Sequence, residues 1–100
     1  MAKIQVGLLV RVVAKEGRGP EVAAFLASAA PLAEAEAFTP AWFAYQADER
    51  TFYITDVFAN EADRQKHLTG PIAAALMAKA PELFAQAPEI IPVNVLAAKL

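Results

Sequence analysis

This chain carries a single histidine, and the residues around it are its densest group with chemical potential. The stretch Thr51–Gly70, TFYITDVFANEADRQKHLTG, opens with alternating aromatic and β-branched residues. It passes Asn60 and becomes a short charged segment containing His67. An imidazole has an ordinary pKa of about 6.5, so it exchanges protons near neutrality. His67 is the candidate general base. Asp63 stands four residues earlier, the spacing at which two side chains pair on a helix surface. Asp56, an acid between apolar residues on a predicted strand face, reads as a salt-bridged edge residue or as a polar group lining a pocket. Asn60 is a good helix N-cap, with Glu61 and Asp63 at the positive end of the dipole.

Other side chains able to hold a ring or donate a hydrogen bond lie on predicted strands: Trp42, Tyr45, Tyr53 and Phe58, with Arg11 on the first. Ser28 has no histidine near it in sequence and reads as a helix-surface serine. The absence of cysteine excludes a disulfide frame, thiolate catalysis and cysteine-ligated metal. The net charge of −2 is scattered, with no basic stripe, so no nucleic-acid partner is expected. No apolar run approaches the roughly 18 residues of a membrane span. Met1-Ala2-Lys3 leads into a strand without a signal peptide. The expected location is cytoplasmic.

The elements that position these groups follow from hydrophobic period. Ile4–Ala14 alternates, with Ile4, Val6, Leu8, Val10 and Val12 on one face and Gln5, Gly7, Leu9, Arg11 and Val13 on the other. Gly7 allows a close backbone approach. Lys15–Gly19 is a turn, and Pro20 opens a helix with the stripe Val22, Phe25, Leu26, Ala29 and Leu32. Pro31 kinks or ends it, and Glu34 and Glu36 continue as a solvated last turn. Ala41–Ala47 and Thr51–Phe58 are strands joined by a polar hairpin turn. Trp42, Ala44 and Gln46 face one way, Phe43 and Tyr45 the other. In the next strand Phe52, Ile54, Asp56 and Phe58 alternate with Tyr53, Thr55 and Val57.

Thr69-Gly70 ends the helix that contains His67, and Pro71 opens the next. Its stripe is Ile72, Leu76, Leu83 and Phe84, and Pro81 kinks it. Glu89–Ala98 reads as a last strand, marked by Pro92 as an edge or a bulge. The order is βαββαβ, a ferredoxin-like α+β arrangement with a four-stranded antiparallel sheet and helices on one face. One hundred residues make one domain, 1–100, with a modest core. A hydrophobic content of 57% is high for that size, and the uncovered sheet face predicts a homodimer.

This order resembles the antibiotic biosynthesis monooxygenase family along essentially the whole chain. The matching residues are Val57-Phe58-Ala59-Asn60-Glu61-Ala62, His67-Leu68-Thr69-Gly70-Pro71 and the opening Leu8–Lys15. The resemblance implies a dimeric α+β barrel whose protomers each hold a pocket between sheet and helices. It also implies oxygenation of a small aromatic, anthrone or quinol-type substrate by dioxygen, with no cofactor and no metal. In that setting His67 is the base, and Trp42, Tyr45, Tyr53, Asp56, Phe58, Asn60 and Arg11 are candidates for binding substrate. An isomerase of a small keto-enol compound, or a non-catalytic dimeric protein binding a small ligand, would use the same pocket. Three positions depart from the family pattern. Phe58 stands where many members have tryptophan, Ile72 where many have a second histidine, and Ala37-Phe38-Thr39-Pro40 where Glu-Pro-Gly is common. Haem-degrading relatives rely on a first-strand asparagine, a tryptophan and a histidine; here the first strand has no asparagine, the tryptophan is missing from that place, and only the histidine remains.

Overall fold

A computed structural model describes residues 3–100. The elements are β1 (Val6–Val13), α1 (Gly19–Ser28), α2 (Ala30–Ala35), β2 (Ala41–Gln46), β3 (Thr51–Phe58), α3 (Glu61–Leu68), α4 (Pro71–Leu83) and β4 (Glu89–Asn94). Both helical segments of the expected βαββαβ order are thus divided in two. Pro31 has no N–H for the carbonyl of Ala27, and α1 gives way to α2 at Ala29. Gly70 and Pro71 separate α3 from α4. Pro81 falls in the last turn of α4, which runs on to Leu83. The last strand stops at Asn94, short of the expected Ala98, although Val95 N–H still bonds Gln5 O.

The strands form one antiparallel sheet in the order β2-β3-β1-β4, the ferredoxin-like α+β fold. Pro92 lies on β4, which pairs only with β1, so its missing N–H costs no ladder bond on an inner strand. Alternation decides what each face does. Leu8, Val10, Val12, Phe52, Ile54 and Phe58 turn inward and are buried. Val22 and Leu26 of α1, and Leu76 and Leu83 of α4, pack onto that inner face. On the other face Leu9, Arg11, Tyr53, Thr55 and Val57 are half-buried, and Phe43 and Tyr45 are exposed. The core therefore lies on one side of the sheet, with the helices.

Two details fix the inner strands and α3. Gly7 sits opposite Val57, and a Cβ there would stand 2.5 Å from the backbone oxygen of Asp56. Only hydrogen fits in that space. Arg64 of α3 donates to the carbonyls of Gly7 and Val93 at 3.2 and 3.3 Å and also pairs with Glu61. The helix is thereby tied across β1 and β4.

Gly7→Ala should move β3 at Asp56 and lower stability by about 1–3 kcal/mol. Thermal unfolding should show a drop of roughly 5–15 °C in Tm. Gly17→Ala, at a turn with φ 78° and open space around it, should cost about 1 kcal/mol. Equal losses for the two variants would show that the approach at Gly7 does not hold the strands.

Candidate functional site: a histidine between two buried carboxylates

Helix α3 begins at Asn60, whose side chain accepts the N–H of Asp63 at 2.9 Å. This cap sets the phase of the helix, and seven residues on, His67 turns onto the sheet instead of into solvent. It is buried, and Phe58 of β3 lies against it with ring centroids 5.2 Å apart. The expected pairing with Asp63 is not made: Asp63 pairs with Lys66 at 3.6 Å. An i,i+4 pair belongs to an exposed helix face, and His67 is on the covered one.

Its partners are Glu36 and Asp56. His67 Nδ1 lies 2.7 Å from Glu36 Oε1. Nε2 lies 3.0 Å from Asp56 Oδ2, at ion-pair distance but without the alignment of a full hydrogen bond. Glu36 was expected in a solvated helical turn. Instead α2 ends at Ala35, and the chain turns Glu36 inward. Thr39 Oγ1 donates to Glu36 Oε1 at 2.8 Å, so that oxygen receives two hydrogen bonds. A methyl group at Gly70 would stand 3.2 Å from Glu36 Oε2, so this glycine leaves the carboxylate its room.

Burial alone would drive the proton off His67. Hydrogen bonding and charge from Asp56 and Glu36 outweigh it, and the net shift is upward from the ordinary 6.5. The two acids on either side of His67 thus favour its protonated form. The carboxylate oxygens aim at its two nitrogens and not at a common centre. Among the described residues no cluster of histidine and acid side chains has the arrangement to hold a metal ion.

Asp56 faces Trp42 directly across the β2–β3 ladder. Among the described residues the buried side-chain atoms without a hydrogen-bond partner are Trp42 Nε1, Glu36 Oε2 and both oxygens of Asp56. Glu36 and Asp56 flank His67, and Trp42 opposes Asp56 in the register. A cavity of about 200 Å³, lined by Ala33, Thr39, Pro40 and Trp42, opens beside it between α2 and β2. Another of about 200 Å³ follows at Ala44, against Ala23 and Ala27 of α1. A wider groove of about 590 Å³ continues past Gln46 to Gly19 and Arg50. Trp42, Ala44 and Gln46 are successive inward positions of β2, so these spaces run along one edge of the sheet.

The fold has counterparts among solved structures. NE2512 from Nitrosomonas europaea, a protein of unknown function, is 51% identical, with 100% of this chain and 97% of that one covered and a TM-score of 0.96. The chain belongs to the NE2512 family. Two more distant structures are provisionally named antibiotic biosynthesis monooxygenases. One, from Chloroflexus aurantiacus, is 19% identical with a TM-score of 0.73 over 95% of this chain and 96% of its own. The other, from Nitrosomonas europaea, is 11% identical with a TM-score of 0.81 over 92% and 90%. At such identity they share the fold, the one that the resemblance implied. No family model matches the sequence, and no curated protein matches it either.

The sheet divides the candidate residues. Trp42, Asp56, Phe58 and His67 meet on the inner side. Tyr45, Tyr53 and Arg11 lie on the outer side, where Tyr45 and Arg11 each oppose Tyr53 across a ladder. There the Tyr45 hydroxyl accepts from Thr55 at 3.3 Å. Asn60 is occupied as a cap. Glu36 and Thr39 join the inner group without having been singled out by sequence. They are 31 and 28 positions from His67, on a connection whose only local sign is an acid three residues before a threonine.

A raised folded-state pKa carries a definite pH dependence. The stabilisation from protonated His67 should be complete below about 6.5 and decline as pH rises through the elevated folded value. Denaturant titrations from pH 6 to 9 should show this decline in wild type, and His67→Gln should abolish it. The one imidazole C2–H resonance gives the folded pKa directly. A value at or below 6.5 would show that the carboxylates do not hold the proton.

Proposed function

We propose that this chain is a cofactor-independent monooxygenase acting on a small aromatic, anthrone or quinol-type substrate, as a cytoplasmic homodimer. The observation that carries the reading is the set of buried polar atoms without a hydrogen bond on Trp42, Asp56 and Glu36, the two acids flanking a histidine and Trp42 opposing Asp56 beside a ring-sized cavity. Unpaired buried polar groups are costly, and they persist where a ligand or a reaction uses them. The shared fold of the provisionally named monooxygenases supports the same reading.

The chemistry asks little of a protein. An anthrone or quinol that loses a proton becomes electron-rich enough to reduce dioxygen itself. For a ring methylene, proton loss leaves a carbanion, and its electron pair forms the new C–O bond to dioxygen. The resulting peroxide takes up a proton, and loss of water leaves the ring ketone. One substrate and one dioxygen thus give one oxidised ring and one water. The site has to accept the first proton, offset the charge left behind and return a proton to the peroxide. His67 was the expected base, but with two carboxylates favouring its protonated form it suits the second and third tasks. Asp56, whose Oδ1 has no partner, suits the first. Glu36 and Thr39 hold the ring of His67 in place from behind.

Oxygen uptake with an anthrone or hydroquinone is the direct test. Wild type should exceed the uncatalysed rate. Asp56→Asn should cut the excess by about 10²–10⁴, the usual worth of general acid–base catalysis. His67→Ala leaves two buried acids without a counter-charge and should destabilise as well as inactivate, by about 3–5 kcal/mol. His67→Gln keeps the volume and separates the two effects. No uptake with any ring substrate would sink the oxygenase reading, and turnover without uptake would point to keto-enol isomerisation.

The outer sheet face supports the dimer. Phe43 and Tyr45 stack at 6.1 Å between centroids, and both are exposed, with Leu9, Val57 and Ile91 beside them on the same face. Wild type should sediment as a dimer and Phe43→Glu as a folded monomer. A wild-type monomer at micromolar concentration would refute the association.

A further inference from the structure

We propose that the indole N–H of Trp42 and the carboxylate of Asp56 together bind one hydroxyl group of a ring ligand seated along β2, and so select ring hydroxyls over the matching methyl ethers. The inference rests on the functional reading above and narrows its substrate class.

Trp42 and Asp56 are register partners on the inner face, where directly opposed Cβ atoms stand about 4.5–5.5 Å apart. The indole nitrogen is a donor only, and an ionised carboxylate an acceptor only. Both are buried and they do not bond each other: the indole N–H has no partner, and Asp56, against His67 through Oδ2, leaves Oδ1 without one. One oxygen can answer both if it carries a lone pair for the indole and a proton for the acid. A hydroxyl does this. A methyl ether or a ring ketone can accept from Trp42 but has nothing to give Asp56. An ammonium group has the reverse defect.

Access is available from one side. Trp42 is only partly buried and lines the cavity at Thr39 and Ala33, although its Nε1 has no exposed surface of its own. A ligand ring entering that cavity would meet Trp42. Neither the N–H nor Asp56 is open to that cavity, so the hydroxyl reaches them once the indole turns aside. A cavity of about 150 Å³ accepts benzene, so the roughly 200 Å³ here suits one ring with a substituent. Behind Asp56 lies His67, whose protonated form the acid favours, with Phe58 against its ring.

The single tryptophan makes the test clean, because the protein has one indole N–H resonance. Labelled wild type is titrated without oxygen, once with hydroquinone and once with 1,4-dimethoxybenzene. Hydroquinone should move the indole resonance downfield and bind about 10- to 100-fold more tightly than the ether, the range for a hydrogen bond to a charged group. Trp42→Phe and Asp56→Asn, each checked for a folded amide spectrum, should abolish the preference. Equal affinities would overturn the proposal. So would an indole resonance that stays fixed while other amides shift, or the absence of hydroquinone binding at millimolar concentration. An indole proton in contact with water and indifferent to both ligands would overturn it too, by showing a buried water in the hydroxyl's place. The titration needs no turnover. Binding with the expected shift but no oxygen uptake would sink the oxygenase and leave this inference standing, while uptake with a fixed indole would do the reverse.

Discussion

Three ionisable side chains brought together under the helices set the constraint that the rest of this structure meets. Taking an ion out of water costs several kcal/mol even after relaxation, and Glu36, His67 and Asp56 are all nearly inaccessible. The cost is offset only if every charge has a close partner in good geometry. That requirement reaches well beyond the three residues. Asn60 must cap α3 in the right phase to turn His67 inward, and α2 must stop at Ala35 to release Glu36. Thr39 must hold the outer carboxylate, and Gly70 must stay bare to admit it. A hydrophobic trio of the same volume would stabilise the core as well or better. The arrangement makes more sense as a held charge than as a source of stability.

Much of the frame could be read from the chain. Period-two alternation placed the strands, and β3 is found over the residues expected for it. Asn60, Pro31 and Pro71 act where their chemistry says they should, because caps and prolines work through neighbours a few positions away. Glu36 was opaque for the opposite reason. Its partner is far along the chain, and the segment around it, alternating alanine with glutamate, looks like any exposed helical turn. Asp63 at i−4 of His67 supplied a sufficient local partner. Only the packing of α3 against β3 shows that the histidine faces the other way.

The grouping of the aromatic residues teaches a related point. Alternation along β2 and β3 already separated Trp42 from Tyr45 and Asp56 from Tyr53. The resemblance to a family implied a pocket of aromatic residues and drew both faces into it. A strand cannot send neighbouring side chains to the same side. The local rule thus divides what the family analogy joined, and in the structure Trp42 and Asp56 share the inner face while Tyr45 and Tyr53 lie on the outer one.

That division links the two faces of the sheet. β2 is an edge strand, paired on one side only. The same six residues send Trp42 inward toward Asp56 and Phe43 and Tyr45 outward toward whatever covers that face. Covering the outer aromatics would fix the strand from behind. The indole on the other side would then be held at its distance from the carboxylate. A polar site whose donor and acceptor lie on different strands depends on that distance being constant. On the proposed reading, association across the outer face completes a site to which the partner contributes no side chain.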